Sequence, residues 1–524
     1  MGKAKLPRRD FLRAAVTATA ALAPGALANA QQQRAPAECG ADWEPPEKQQ
    51  GNNLNLIVIV CDTFRADNLE CYGSKWIECP NLNTLAKDSV IFKDCYPEGL
   101  PTIPARRALY TGRRVLPFRY YPQHEPVQLP GWHALYYEDV TLSETLQAAG
   151  YITTLVADLP HLQRPDRNFH RGFDSVRWIR GQEVEPYGTV PHKLLDVSDM
   201  ESEEHLAQFP MLRLFLSQYK ANRQLWSQEG EALVQIVAET AIRWLKADYD
   251  QRPFFLHIES FDPHEPWDPP PRFLEKYLPN AKGPSFIEPP YDDATLPEAI
   301  KQRFRANYAG EVACVDFWIG KLLDAIGELG LFENSIVVFT TDHGTLLGEQ
   351  EQFMKGPARL RGQVTHVPLL IRTPERQNAG KQVSGFNQHP DLMPTCLRLL
   401  GLKPPSRVTG SNFWPLVTGE TKSLRDSVVQ AYGWIAAVRT REWNYSQIWK
   451  PAAMRTPYPP QLYNLEKDPQ ELTSVADKYP EITRQLSARL QEYLASGEEI
   501  TRGSFHAKEH LDMGTVYVNR KVGK

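Results

Sequence analysis

The chain has 524 residues, of which 42% are hydrophobic and 23% charged, a balance that supports a large folded core. Its net charge is −4, and residues 1–30 carry five basic side chains against Asp10, so the remainder stands near −8. That balance argues against nucleic-acid binding and against polybasic attachment to a membrane.

Arg8 and Arg9 lie in PRRDFLRAA, ahead of an alanine-rich apolar run from Ala14 and a small-residue cleavage pattern at Ala28, Asn29 and Ala30. The pattern predicts a twin-arginine signal peptide over residues 1–30 and a periplasmic or otherwise exported mature protein. The run is too short and too weakly apolar to span a bilayer, so no integral membrane segment is expected in the mature chain. Residues 31–51, rich in Gln, Pro and Gly, read as a flexible lead-in. All seven cysteines lie beyond residue 30, an odd number that leaves at least one without an internal partner in an oxidising compartment. Cys61 and Cys314 fall in apolar segments and read as buried thiols.

From Leu54 to Val60 the chain is continuously apolar and rich in β-branched residues, as a fully buried parallel strand would be. Similar runs cover Ile152 to Ala157, Phe254 to Glu259, Ser335 to Thr341 and Val367 to Arg372. Between them lie stretches of helical periodicity, most clearly Tyr308 to Leu329 with Gly330 at its end. The alternation predicts an α/β fold: a doubly wound, mostly parallel central sheet flanked by helices. From about residue 421 the pattern changes to short strands and one helix, a smaller α+β subdomain. The expected organisation is a catalytic domain over 52–420, a C-terminal subdomain over 421–500 and a tail over 501–524.

Ligands of such sheets lie beyond the carboxyl ends of the strands, and the polar clusters fall there. Asp62 follows the first strand, Asp262 and His264 follow the strand ending near Glu259, and Asp342 and His343 follow the strand ending at Thr341. The segment Thr102 to Arg113, TIPARRALYTGR, sets a hydroxyl at the mouth of a short helix, with Pro104 at its first position and Gly112 as its stop. Backbone N–H groups there favour an anion, and Arg106, one turn in, can fork onto the same anion.

This spacing resembles the signature of the sulfatases in the alkaline phosphatase superfamily, C/S-x-P-x-R leading into a helix that ends in TGR. In that family the Cys or Ser becomes formylglycine. Here Thr102 occupies the position, and a secondary alcohol cannot give that aldehyde, so no formylglycine is expected. Cys95 is no displaced substitute, because Gly99 stands where the arginine would be. CDTFRADNLECYG, followed by CPNLNTLAKDSVIF, resembles the family's first metal motif in a DTxRAD variant, with Thr63 in place of a second aspartate. TTDHG, Thr340 to Gly344, resembles the second metal motif.

The resemblance implies Asp62, Asp342, His343 and the Thr102 hydroxyl as ligands of a divalent metal ion, which this donor set allows to be calcium, manganese, magnesium or zinc. FDPHEPWDPP resembles the segment whose histidine faces the leaving group, which gives His264 the general-acid role. Lys355, in EQFMKGPARLRGQVTHVPLL, matches a lysine that contacts non-bridging oxygens, and His161, in ADLPHLQRP, lies where the family has GKWHLG. His366 and His389 flank the expected site, Arg65 reads as a structural ion pair, and Trp267 is the tryptophan nearest to the His264 loop. Tyr463 to Glu471 resembles the family's C-terminal LYDLxxDPxE element.

The implied substrate is a small anionic ester. With threonine as nucleophile, the covalent intermediate is resolved by attack on its central atom, which is established chemistry for phosphorus. The leading expectation is a hydrolase of phosphate or phosphonate esters. The alternatives are a sulfuric ester hydrolase using unmodified Thr102 and a sulfatase-fold protein that binds anions without turnover.

Overall fold

In the computed structural model the described residues are 45–120, 129–164, 167–190, 194–250, 253–290, 296–450 and 457–503. The signal peptide expected over residues 1–30, residues 31–44 of the expected lead-in and the expected tail from residue 504 lie outside them.

The first apolar run forms β1 (Asn55–Cys61), buried along its whole length. It lies inside an eight-stranded sheet with β2 (Val90–Phe92), β5 (Ile152–Ala157), β6 (Ser175–Trp178), β7 (Phe254–Ser260), β8 (Ser335–Thr340), β11 (Leu369–Arg372) and β12 (Gln382–Val383). The spatial order is β12-β2-β11-β8-β1-β7-β5-β6. The short strands β3 (Cys95–Tyr96), β4 (Gly99–Leu100), β9 (Leu346–Glu349) and β10 (Gln352–Met354) stand outside this sheet. Strands β8, β1, β7, β5 and β6 run parallel, with Leu56 opposite Phe255 on one side and Ile336 on the other. The chain thus places β7 and β8 on opposite flanks of β1, which makes the end of β1 a topological switch point. The run at Val367 to Arg372 gives β11 from Leu369 onward, and it is antiparallel to β8 and β2. Strand direction leaves no trace in a short apolar run, because both faces are buried either way.

Alternate side chains of β1 feed two cores. Ile57, Ile59 and Cys61 pack with α1 (Pro80–Lys87) and, on the same side, Leu56, Val58 and Val60 being excluded, with helices met later in the chain. Leu56, Val58 and Val60 pack against α2 (Thr102–Thr111), α3 (Leu142–Ala148) and apolar residues of a later helix, Leu392–Leu399. The first core is completed by α4 (Leu233–Asp248) and α5 (Glu298–Glu328). Helix α5 starts ten residues before the expected Tyr308, because Phe304 also packs into that core.

The remaining strands are β13 (Asn387–Gln388), paired with β3, and β14 (Val428–Tyr432), β15 (Ile435–Arg439), β16 (Trp443–Ile448) and β17 (Gln461–Asn464) of a second sheet. Helix α6 (Pro480–Ser496) covers that sheet through Leu486, Leu490 and Leu494. Its fifth strand is β4, which pairs Gly99 with Ala431 and Leu100 with Tyr432. The residues just before Thr102 are therefore built into the C-terminal sheet. Glu471, from the DPxE element, is fully buried and accepts hydrogen bonds from Gly362 N at 2.8 Å and Arg439 Nη1 at 2.8 Å. Among the described residues no helix is long and apolar enough to cross a membrane, and the six cysteines there are all free thiols.

Candidate active site

Helix α2 begins at Thr102 itself, with Pro101 as its N-cap, so Pro104 is its third residue. A proline is tolerated there because N–H groups of the first turn have no intrahelical acceptor. Gly112 closes the helix at φ 61°, where a Cβ would meet Val408 and Met393 at 3.1 and 3.2 Å. Residues four apart share a helix face, and side chains lean toward the N-terminus. Thr102 and Arg106 therefore address the same side, and both are buried.

Three adjacent strands meet that face. Asp342 after β8, Asp62 after β1 and Glu259 within β7 surround the Arg106 guanidinium, and all four side chains are fully buried. Arg106 Nη1 donates to Asp62 Oδ2 at 3.0 Å and also to Asp342 Oδ2. Its Nε and Nη2 donate to Glu259 Oε2 at 3.1 and 2.9 Å. The arginine expected to fork onto a substrate anion is instead turned to carboxylates of its own chain. The sequence reading missed Glu259, since an acid closing an apolar run reads as the polar exit of a strand.

Thr63, in the place of a second aspartate, clamps the first. Its hydroxyl donates to Asp62 Oδ1 at 2.7 Å and its N–H to Asp342 Oδ1 at 3.1 Å. It holds φ 62°, unfavourable for a β-branched residue, while its carbonyl accepts from the Tyr308 hydroxyl at 2.9 Å.

His343 completes the cluster. Its Nδ1 lies 2.9 Å from the Gly344 carbonyl, which can only accept, so Nδ1 carries the proton and Nε2 keeps its lone pair. Nε2 is buried, has no hydrogen-bond partner and lies 3.4 Å from Asp342 Oδ2. Ligand atoms of Asp62, Asp342 and His343 all fall within 4.8 Å of one another. With Glu259, the three carboxylates when all ionised outnumber Arg106 by two charges, so the donor set and the charge it can develop both fit a divalent cation.

The two aspartates of the cluster differ in ionisation. Burial, then repulsion from Asp342, pushes Asp62 well above the usual carboxylate range. Burial acts the same way on Asp342, but Arg106 and His343 outweigh it and hold that carboxyl below its ordinary value. Burial brings His343 down to about 4, so it is neutral near pH 7.

A second group stands beside this cluster. Lys355, directly after β10, donates from Nζ to His264 Nε2 at 2.8 Å and to Glu265 Oε1 at 2.5 Å. His264 Nδ1 donates to the Glu265 carbonyl at 2.6 Å, so Nε2 is the acceptor on Lys355. Burial and then the Lys355 charge hold His264 well below 6.5. The imidazole is therefore neutral near pH 7 and receives, rather than holds, the proton expected of it. His161 Nε2 lies 3.5 Å from Glu183 Oε2, and burial lowers its pKa to about 3. Burial, then Glu265, raises Glu183 to about 7. Glu183 belongs to the stretch from Arg177 to Glu231, which carries no legible motif.

Other candidates serve the frame. His366 Nε2 bonds the Lys93 carbonyl at 2.7 Å, and Arg65 pairs with Asp67 and Glu349 at 2.6 and 2.7 Å. Trp267 is fully buried, donates to the Pro263 carbonyl at 3.1 Å and packs on Tyr308, which makes it core. His389 is closer in, with Nε2 3.1 Å from the Thr341 carbonyl.

The profile of the Sulfatase family matches residues 54–402, and that of the N-sulphoglucosamine sulphohydrolase C-terminal region matches residues 353–496. The chain is 22% identical to an N-acetylglucosamine-6-O-sulfatase of Bacteroides thetaiotaomicron, over 85% of this chain and 87% of that one. It is 25% identical to an arylsulfatase of Clostridium perfringens, over 85% and 95%. Its fold resembles the crystal structure of the phosphonate monoester hydrolase of Agrobacterium radiobacter, with a TM-score of 0.63 and 22% identity over 84% of this chain and 96% of that one. A sulfatase profile across two thirds of the chain, on a sheet that gathers Asp62, Asp342 and His343 beside the helix of Thr102, makes this protein a sulfatase-like ester hydrolase: it belongs to the sulfatase family of the alkaline phosphatase superfamily.

Proposed function

We propose that the chain is an exported, metal-dependent hydrolase that cleaves a phosphate or phosphonate ester through Thr102. The observation that carries this reading is an unmodified threonine at the first position of α2, on the face that Arg106 shares with Asp62 and Asp342. Threonine cannot supply the aldehyde hydrate that lets a sulfated intermediate break a C–O bond. It can carry a phosphoryl group that water then removes by attack at phosphorus.

Asp62, Asp342 and His343 would hold the divalent ion, and the Thr102 hydroxyl would be a further ligand. Such an ion, when bound, lowers the pKa of a hydroxyl and draws charge from the ester oxygens. The Thr102 hydroxyl loses its proton to water, and its oxygen attacks phosphorus as the bond to the leaving alcohol breaks. That alcohol takes a proton from Lys355 Nζ, which neutral His264 positions by accepting one of its hydrogens at Nε2. Water then attacks phosphorus, giving a proton back to Lys355, and the Thr102 oxygen departs and regains a proton from solvent, releasing phosphate or phosphonate. The same reading keeps the twin-arginine signal over residues 1–30.

The second reading, a sulfuric ester hydrolase with unmodified Thr102, is favoured by the match of both profiles to sulfatases. Peptide mass spectrometry of protein quenched during turnover of a phosphonate monoester separates the two. A phosphorus-bearing adduct on Thr102 supports the first reading, and turnover without any adduct at Thr102 contradicts it.

A further inference from the structure

Glu259 stands where a parallel sheet is least hospitable to charge. It lies in β7 opposite Val60, in the central part of an eight-stranded sheet, and is fully buried. A buried ion pair gains little stability over well-packed apolar residues, so stability alone gives no reason for an acid here. Both of its oxygens are committed. Oε2 accepts from Arg106 Nε and Nη2, at 3.1 and 2.9 Å, while Oε1 faces His257 Nε2 at 2.9 Å and the Tyr110 hydroxyl at 3.4 Å.

The arrangement divides the guanidinium. Two nitrogens belong to Glu259, and Nη1 alone reaches Asp62 and Asp342. Arg106 is thus a cation resting on two of the three residues that suit a divalent ion, and it competes with such an ion for them. An arginine with no other counter-ion would be held there by both carboxylates. Glu259 offers the alternative on the opposite edge of the guanidinium.

We propose that Glu259 is a positioning residue for Arg106: it anchors the guanidinium on the β7 side, so that Asp62 and Asp342 can release Nη1 and accept a metal ion while Arg106 stays in place. His257 and Tyr110 fix the carboxylate for that task. The inference rests on the metal reading of Asp62, Asp342 and His343.

Calorimetric titration of metal-stripped protein with Mn2+, and with Ca2+ in parallel, tests it. Glu259→Gln keeps the size of the side chain but removes its charge, and is expected to weaken binding about tenfold or more, the range found for groups that support metal ligands. Glu259→Asp, which restores the charge, is expected to recover part of that loss, and serves if the Gln variant does not fold. In an Arg106→Gln background the Glu259→Gln change is expected to weaken binding by less than about threefold, since its target is gone. An equal loss in both backgrounds would show that Glu259 acts as a diffuse negative charge and would overturn the proposal. Unchanged affinity in Glu259→Gln would overturn it while leaving the metal reading intact. Wild-type protein that binds neither ion would overturn both.

Discussion

The Nζ atom of Lys355 lies 2.8 Å from Nε2 of His264, two residues 91 positions apart in the chain. Only the lysine has hydrogens to give on this contact, because His264 Nδ1 is spent on the Glu265 carbonyl. Lys355→Ala is therefore expected to lower kcat for esters of poor leaving groups by about 10²-fold or more. Aryl esters with acidic phenols need no proton on departure and should lose much less. Initial rates across a series of phenols check this; an equal loss along the series would assign Lys355 to anion binding instead.

Thr102→Ala is expected to abolish turnover, by about 10³-fold or more, and Thr102→Ser to retain a substantial part of it. The serine variant keeps a hydroxyl at the head of α2. Steady-state rates of the three proteins, each with its metal content measured, decide the point.

Glu183 gives a pH signature. Its folded pKa of about 7 lies above the ordinary carboxylate value of 4.5, because burial and Glu265 favour its neutral form. Between those values the native state binds the extra proton, so stability falls as pH rises from about 4.5 to about 7. The contribution is fully present below that window and lost above it. Glu183→Gln removes the loss: its Tm is expected to exceed that of wild type by a few degrees at pH 8 and to match it at pH 4.5. Thermal unfolding at the two pH values measures the difference.

Glu471→Ala is expected to destabilise the protein by about 3–5 kcal/mol, because it strips a buried arginine, Arg439, of its partner. It also frees the N–H of Gly362. Denaturant unfolding gives the value, and Glu471→Gln, which keeps hydrogen-bonding capacity, should cost less.

Much of this site was legible in the sequence. Asp62 and Asp342 come just after apolar runs and His343 follows Asp342, and a strand end fixes where the next residues point. Thr102 and Arg106 are four residues apart, so one helix settles their shared face. What escaped is long-range pairing. Glu259 has its meaning through Arg106, 153 positions earlier, and the partner of His264 is a lysine that follows the β9–β10 pair. Glu183 comes from a segment without motif, and β11 reads as a strand without revealing its direction. Pro104 marks the first turn of α2 without fixing its first residue, since the whole first turn of a helix tolerates proline.

The most direct test of the central claim is the turnover of matched aryl sulfate, phosphate monoester, phosphodiester and phosphonate monoester substrates by metal-loaded mature protein, with Thr102→Ala alongside. The account predicts preference for a phosphorus ester, lost in Thr102→Ala. Preference for the sulfate ester, or turnover of a phosphorus ester that survives in Thr102→Ala, would contradict it.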